Sequence, residues 1–311
     1  MDGVPLVFIE SVIRSSDLYT SKELQQLSTT WGDVGEVRTK KKGHLKLTFA
    51  PYNGDDEDWL LHYKIEGFDH IKSRTLSREV VREMSKSIEY IKFGLDYSYF
   101  LDEEWNSISP DNVALLQLLT NLDAPKKNLD LASVTIIESG YIELSSKYSN
   151  FFRSFTSVKL NCFKNTRLME DTISEPRVRT VQITPYKNGY RPVSFWVDFF
   201  FSEKCMRLEI NDIDVALGVI EHWKKMDPRN LKYSKVFYAV FCSSESLKDI
   251  KMQEINLETK AALLKKVKNK VGRENRVKSL HYIDHPVDLS KKIYVVVYAT
   301  WLTDNLALLF D

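Results

Sequence analysis

Two histidines near the carboxyl end of the chain stand four residues apart, the spacing at which a helix presents two imidazoles to one metal ion. They are His281 and His285, with Asp284 between them. The stretch Leu280-His281-Tyr282-Ile283 favours a strand, and Pro286 follows it. On a strand the two rings would lie roughly 13 Å apart, at about 3.3 Å per residue. We therefore expect no metal site.

Motifs for phosphate binding and nucleophilic catalysis are missing from the sequence. The eleven glycines are scattered, without GxGxxG, GxxxxGK[ST] or GxSxG. Cys162, Cys205 and Cys242 form no CxxC pair, and thiols in apolar segments are usually buried and reduced. One alternative is an enzyme whose catalytic residues are distant in the sequence and come together only in the fold. We nevertheless expect a non-catalytic protein that needs no cofactor.

Two further stretches could bind partners. Basic residues recur between Lys260 and Lys278, but 44 basic and 43 acidic residues leave a net charge of only +1. This balance favours the interpretation that the basic residues form the solvated face of a helix. It does not indicate binding to nucleic acid or to an anionic membrane. The aromatic run Phe195–Phe201 is either a buried helix between two strands or a hot spot for a partner.

The overall composition is that of an ordinary globular protein. Of the 311 residues, 43% are hydrophobic and 28% are charged, and two domains are the natural expectation for this length. The amino terminus lacks a basic region followed by a small-residue cleavage site. The longest apolar run, Ile293–Leu302, is too short to span a bilayer. We expect a soluble protein of the cytosol or nucleus, where thiols stay reduced.

The first 42 residues predict two short helices. Pro5 suits the first turn of the first helix, and Thr20 with Glu23 fits a capping box for the second. Each helix carries an apolar stripe, formed by Phe8, Ile9, Val12 and Ile13 in the first and by Leu24, Leu27 and Trp31 in the second. So small a unit cannot bury enough surface to be stable alone. It must dock on the rest of the chain or on a partner.

This segment resembles an F-box. The resemblance lies in Val4-Pro5, the paired apolar residues Phe8-Ile9 and Val12-Ile13, the turn at Asp17-Leu18, and the leucines and tryptophan of the second helix. It implies docking on the Skp-type adaptor of a cullin-RING ubiquitin ligase. The adaptor-binding residues that it implies are Pro5, Phe8, Ile9, Val12, Ile13, Leu24, Leu27 and Trp31. Val4 and Val7 depart from the family pattern. The alternative is that the two helices only cap the following domain.

Residues 43–311 predict an α/β domain of irregular leucine-rich-repeat-like units. A hairpin at 44–65 is followed by alternating helices and strands, with strands predicted at 88–95, 132–137, 157–161, 179–184, 206–210 and 235–240. The later strands recur about every 23 to 28 residues. Connecting helices are predicted at 215–225, capped by Asp214, and at 257–271, capped by Asn256. Ile293–Ala299 predicts a strand whose partner the sequence does not reveal.

The whole chain also resembles the nematode families of F-box proteins with associated carboxyl-terminal domains. The residues that carry this are Val4–Ile9 and Ile220-Glu221-His222-Trp223-Lys224 before a strand. The resemblance implies a helical unit at 1–42 that docks on the adaptor and a repeat domain at 43–311 that binds a client protein. The alternative is a β/α protein-interaction module with no ligase role.

Overall fold

The computed structural model describes residues 4–15, 26, 30–51, 59–95, 101–109, 111–131, 138–161, 166–184, 191–239, 247, 250–272, 276–299 and 304–310. The fold is mixed α/β, as predicted. The chain divides into two compact units, the first formed by residues 1–129 and 137–152 and the second by residues 130–136 and 153–311. Residues 1–42 thus share a unit with the strands that follow them, and the predicted domain boundary at residue 42 stays a prediction. None of the described helices is long and apolar enough to cross a membrane.

The first unit combines helices with a mixed sheet. Its helices are α1 (Leu6–Ser15), α2 (Thr30–Lys41), α3 (Arg78–Ser85), α4 (Val113–Asn121), α5 (Glu138–Lys147) and α6 (Ser149–Phe152). Its strands are β1 (Gly43–Pro51), β2 (Trp59–Gly67), β3 (Ile88–Leu95), β4 (Asn106–Ile108) and most of β5 (Lys126–Leu131), whose last two residues are counted in the second unit; their order is β5-β3-β1-β2-β4. β1 and β2 form the predicted hairpin, while β1 and β3 run parallel.

A close backbone contact joins α2 to this sheet. The amide of Phe68 donates to the carbonyl of Lys42 at 2.9 Å, and the buried Phe68 ring lies against Gly43. A Cβ atom on Gly43 would stand 2.1 Å from the Phe68 ring, so only glycine fits there. Lys42 also forms an ion pair with Glu89 of β3 at 2.7 Å. The helical segment therefore ends in a fixed position on the sheet.

The second unit begins with a parallel run. Its elements are β6 (Ser157–Asn161), α7 (Thr166–Ile173), β7 (Thr180–Thr184), α8 (Val193–Phe201), β8 (Arg207–Ile210), α9 (Ile213–Lys225), a 3₁₀ turn (Pro228–Asn230) and β9 (Lys235–Ala239). The four strands pair in sequence order, each parallel to the next. The strand-helix alternation predicted for this region is confirmed.

The unit ends in an antiparallel region that the sequence did not reveal. It contains β10 (Gln253–Glu254), α10 (Ala261–Val271), β11 (Arg276–Asp284), β12 (Lys292–Ala299) and β13 (Asp304–Phe310). β13 lies between β12 and β9, so the predicted strand at 293–299 has β11 and β13 as its partners. This region completes a sheet. The finer leucine-rich-repeat-like arrangement of residues 43–311 stays a prediction.

Different helices cover the two faces of the strands in the second unit. On one face Phe200 of α8 packs edge-to-face against Phe237 and Phe310, with ring centroids 5.8 and 5.3 Å away. On the other face Val267 and Val271 of α10 enter a core with residues of β9, β11, β12 and β13. The interpretation of Phe195–Phe201 as a buried helix is confirmed, since Trp196, Val197 and Phe200 are all buried.

Several predicted boundaries were wrong. The predicted strand at 132–137 is not one of them, because it lies outside the described residues and stays a prediction; the strand at Lys126–Leu131, after α4, was not predicted. Asp212 rather than Asp214 caps α9, because its carboxylate accepts from the amides of residues 214 and 215. Helix α10 begins at Ala261, and Asn256 instead accepts from the Glu258 amide in a turn. Trp31, predicted on the same helix as Leu24 and Leu27, lies in the first turn of α2, which begins at Thr30.

Candidate protein-interaction surfaces

Helix α1 presents apolar side chains to solvent. Leu6, Val7 and Phe8 are 52%, 76% and 55% exposed, and we call these three residues the amino-terminal apolar surface. Monomeric proteins tend to leave apolar residues exposed singly, whereas contiguous exposed patches mark binding sites. Three consecutive apolar residues in one helical turn therefore form a candidate docking surface.

The sequence explains why α1 begins where it does. Pro5 stands just before the helix, and its carbonyl accepts from the amides of Phe8 and Ile9 at 2.9 and 3.2 Å. Proline lacks the amide hydrogen that a first helical turn would leave unpaired, and its fixed φ suits helix entry. The start of α1 is therefore well defined, which fixes the positions of Leu6, Val7 and Phe8.

The predicted adaptor-binding residues of α1 fall into different environments. Pro5 and Phe8 are exposed, Val12 is half-buried, and Ile9 is only 1% exposed. The side chain of Ile13 is not among those described. Not all of the stripe is therefore covered by the protein itself. The stripe pattern selected Ile9 and missed Leu6 and Val7, because the periodicity of one helix does not show which face its own chain covers.

The second predicted set is described only in part. Leu24 and Leu27, together with the proposed capping box at Thr20 and Glu23, lie outside the described residues. Trp31 is half-buried, and its indole Nε1 is buried with no hydrogen-bond partner in the described part of the chain. The adaptor-binding role of all eight residues stays a prediction.

The second unit offers a different surface, which is polar. Strands β6, β7 and β8 alternate buried apolar residues with half-buried or exposed polar ones. The register aligns Lys159 with Gln182 and Gln182 with Glu209 across three neighbouring strands. We call Lys159, Gln182, Arg207 and Glu209 the polar strand face.

Hydrogen bonds and ring contacts order the polar strand face. Gln182 Nε2 donates to Glu209 Oε1 at 2.8 Å, and Glu209 Oε2 lies 3.6 Å from an Arg207 guanidinium nitrogen. The Arg207 guanidinium also stacks over the Tyr238 ring, 4.1 Å from its centroid. A cation over an aromatic face at this distance is held by the quadrupole of the ring. The polar strand face therefore presents a positively charged donor, a negatively charged acceptor and an amide in fixed positions. Such a set suits hydrogen bonding with a polypeptide.

The tyrosine beneath Arg207 is a structural group. Tyr238 Oη donates to the carbonyl of Lys270 at 2.5 Å, and Lys270 Nζ donates to Ser234 Oγ at 2.6 Å. Burial raises the pKa of Tyr238, although the nearby Arg207 opposes this. The phenol therefore stays neutral at physiological pH and links β9 to the end of α10. Sequence reasoning missed the stacking of Arg207 on Tyr238, because the pairing of β8 with β9 is what brings these two residues together.

Three other side chains that could take part in catalysis or metal binding, one thiol and two imidazoles, have structural surroundings. Burial raises the pKa of the Cys205 thiol to about 12, which keeps it protonated and unreactive. His285 Nε2 lies 3.0 and 3.1 Å from the carbonyls of Trp223 and Met226, and its Nδ1 accepts from the amides of residues 287 and 288. His281 pairs instead with Val295 within the sheet. The two histidines thus occupy separate environments.

Comparison with protein-family models finds no match for this chain, and comparison with curated proteins finds none either. The candidate sites are accordingly defined by geometry alone. They are an apolar helical surface in the first unit and an ordered polar strand face in the second. Both kinds of surface are typical of protein recognition.

Proposed function

We propose that this protein is a substrate-recognition subunit of a cullin-RING ubiquitin ligase, acting in the cytosol or nucleus. Its amino-terminal apolar surface docks on the Skp-type adaptor, and its second unit binds a client protein. The chain supplies no catalytic group in this scheme. It raises the effective concentration of client lysines near the ubiquitin carrier.

The exposure of Leu6, Val7 and Phe8 carries this proposal. Apolar surface that stays in water is unfavourable by about 25 cal/mol per Å², and burying it against a partner recovers that free energy. The F-box resemblance supplies the identity of the partner. The same residues lie on the helix whose sequence resembles that family.

Client binding falls to the polar strand face. The fixed arrangement of Gln182, Glu209 and Arg207 limits the side-chain entropy that is lost on binding. Arg207 is the residue most able to act as an anchor, since arginine is enriched at interface hot spots and its guanidinium is exposed above Tyr238. An Arg207→Glu variant should bind the adaptor as the wild type does and should no longer bind the client protein.

Calorimetric titration of the full-length chain with a purified Skp-type adaptor tests the adaptor interaction. We expect saturable binding by the wild type and at least about a thirtyfold weaker affinity for Phe8→Asp, corresponding to a hot spot of about 2 kcal/mol or more. The matched control is Tyr233→Asp, since Tyr233 is 54% exposed and Phe8 is 55% exposed. That control should bind the adaptor as the wild type does.

The buried Ile9 favours the second candidate, in which the two helices only cap the first unit and the protein is an interaction module without a ligase role. The same titration separates the two. If a folded wild-type chain does not bind the adaptor, or if both variants bind equally well, the ligase proposal is wrong.

A further inference from the structure

The first unit contains an apolar cavity of about 210 Å³. Its wall includes Leu47 of β1, Phe93 of β3 and Leu119 of α4. Phe151 and Phe152 of α6 also line it and pack edge-to-face with Phe93, with ring centroids 5.6 and 5.5 Å away. Lys127 Nζ lies 4.7 Å from the centroid of the Phe151 ring. These aromatic contacts hold the wall in place, so the cavity is a defined feature of the unit.

The size of the cavity sets the size of an occupant. A volume of 210 Å³ equals about seven water volumes at about 30 Å³ each. A methylene group occupies nearly the same volume as a water molecule, so an aliphatic tail of about seven carbons fills the cavity. An eighth carbon that bears a polar head would then lie at the opening of the cavity. Protein interiors leave few voids larger than one water molecule, and apolar cavities of this kind take up apolar molecules.

The polar side chains that line the cavity carry no net charge. Among the described lining residues they are Thr120, Glu143, Lys147 and Tyr148. Glu143 and Lys147 stand four residues apart on α5, so their opposite charges lie on the same side of that helix. An anionic or cationic ligand would meet one favourable and one unfavourable charge. Tyr148 and Thr120 add hydroxyl groups that can bond an uncharged polar head.

We propose that this cavity binds a small uncharged amphiphile, an aliphatic molecule of about eight carbons with a single hydroxyl head. The tail lies among Leu47, Phe93 and Leu119, and the hydroxyl lies toward Tyr148 and Thr120. This site belongs to the first unit and is independent of the proposed ligase role. It adds a small-molecule ligand to a protein that is otherwise expected to bind proteins.

Titration of the full-length chain with 1-octanol, octanoate and octylamine tests the inference by ligand-observed NMR. We expect one saturable site for octanol per chain. Each charged analogue should bind at least about tenfold more weakly, because its head must lose hydration to lie beside the half-buried Tyr148 and Thr120. Leu144→Trp places bulk in the half-buried lining of the cavity and should weaken octanol binding at least about tenfold. The matched control, Leu231→Trp at a half-buried leucine of the second unit, should leave octanol binding unchanged.

A photolabelling experiment on the wild type removes the dependence on variant folding. An octanol analogue with a diazirine on its tail should label peptides from α4, α5 and α6, and excess octanol should suppress this labelling. The inference is overturned by an absence of saturable octanol binding or by equal affinity for the charged analogues. Equal octanol binding by a folded Leu144→Trp variant, or labelling confined to other segments, would overturn it as well.

Discussion

Helices α1 and α8 are both short and apolar, yet the protein treats them in opposite ways. α1 has ten residues and leaves Leu6, Val7 and Phe8 in solvent, whereas α8 has nine and buries Trp196, Val197 and Phe200. α8 lies beside α9, where Gly218 admits the side chains of Val193 and Val197 at close range. Apolar composition therefore does not decide burial. The neighbouring elements decide it, and apolar residues that they leave uncovered indicate a surface for a partner.

The largest expected effect tests this contrast directly through two phenylalanine truncations. Phe200→Ala should lower the free energy of unfolding by about 3–5 kcal/mol, because it empties a packed aromatic site against Phe237 and Phe310. Phe8→Ala, at an exposed position, should change it by no more than about 0.5 kcal/mol. Urea unfolding of both variants measures the difference. Equal losses would show that α1 is covered like α8.

The second prediction concerns the junction that holds the helical segment on its sheet. Gly43→Ala should destabilise the protein by about 1–3 kcal/mol, since the new Cβ would overlap the Phe68 ring. Phe68→Leu removes part of that ring, so the double variant should be more stable than the sum of the two single effects predicts. A double-mutant cycle from chemical denaturation measures this coupling. Strict additivity would show that the two residues do not meet.

The third prediction concerns His285, which contacts the end of α9, the helix that packs beside the buried helix α8. His285→Ala should cost about 1–3 kcal/mol, because the carbonyls of Trp223 and Met226 and two backbone amides would lose a buried partner. His281→Ala serves as the control and should cost less, because His281 is only half-buried on β11. Thermal unfolding of the two variants compares them, and a larger loss for His281→Ala would contradict the assignment.

The smallest effect is a pH dependence within the first unit. Burial lowers the pKa of His62 from its ordinary value of 6.5, although a hydrogen bond with the Ala50 backbone opposes this shift. The unfolded chain therefore takes up a proton before the folded one does. The contribution of neutral His62 to stability is complete above pH 6.5 and is lost as the pH falls toward the lower folded pKa. Urea unfolding at about pH 8 and about pH 5.5 should show a decrease that His62→Gln reduces; an unchanged decrease would contradict it.

The sequence predicted elements whose pattern is local. Period-two alternation located β6 to β9 within one residue, and the apolar spacing around Trp223 located α9. It did not reveal β13 as the partner of β12, or the stacking of Arg207 on Tyr238, because strand pairing joins residues that are distant in the chain. The exposure of Leu6 and Val7 was missed for a similar reason. A helical stripe reports which residues share a face, and the rest of the fold determines whether that face is covered.

Covalent carbene footprinting of the full-length chain, free and with saturating Skp-type adaptor, tests the central claim most directly. The account predicts strong labelling of Leu6, Val7 and Phe8 in the free protein and marked protection of these residues in the complex. The exposed Val287 and Leu289 of the second unit should be labelled equally in both samples and serve as the internal reference. Unchanged labelling of the amino-terminal apolar surface at saturating adaptor would contradict the account.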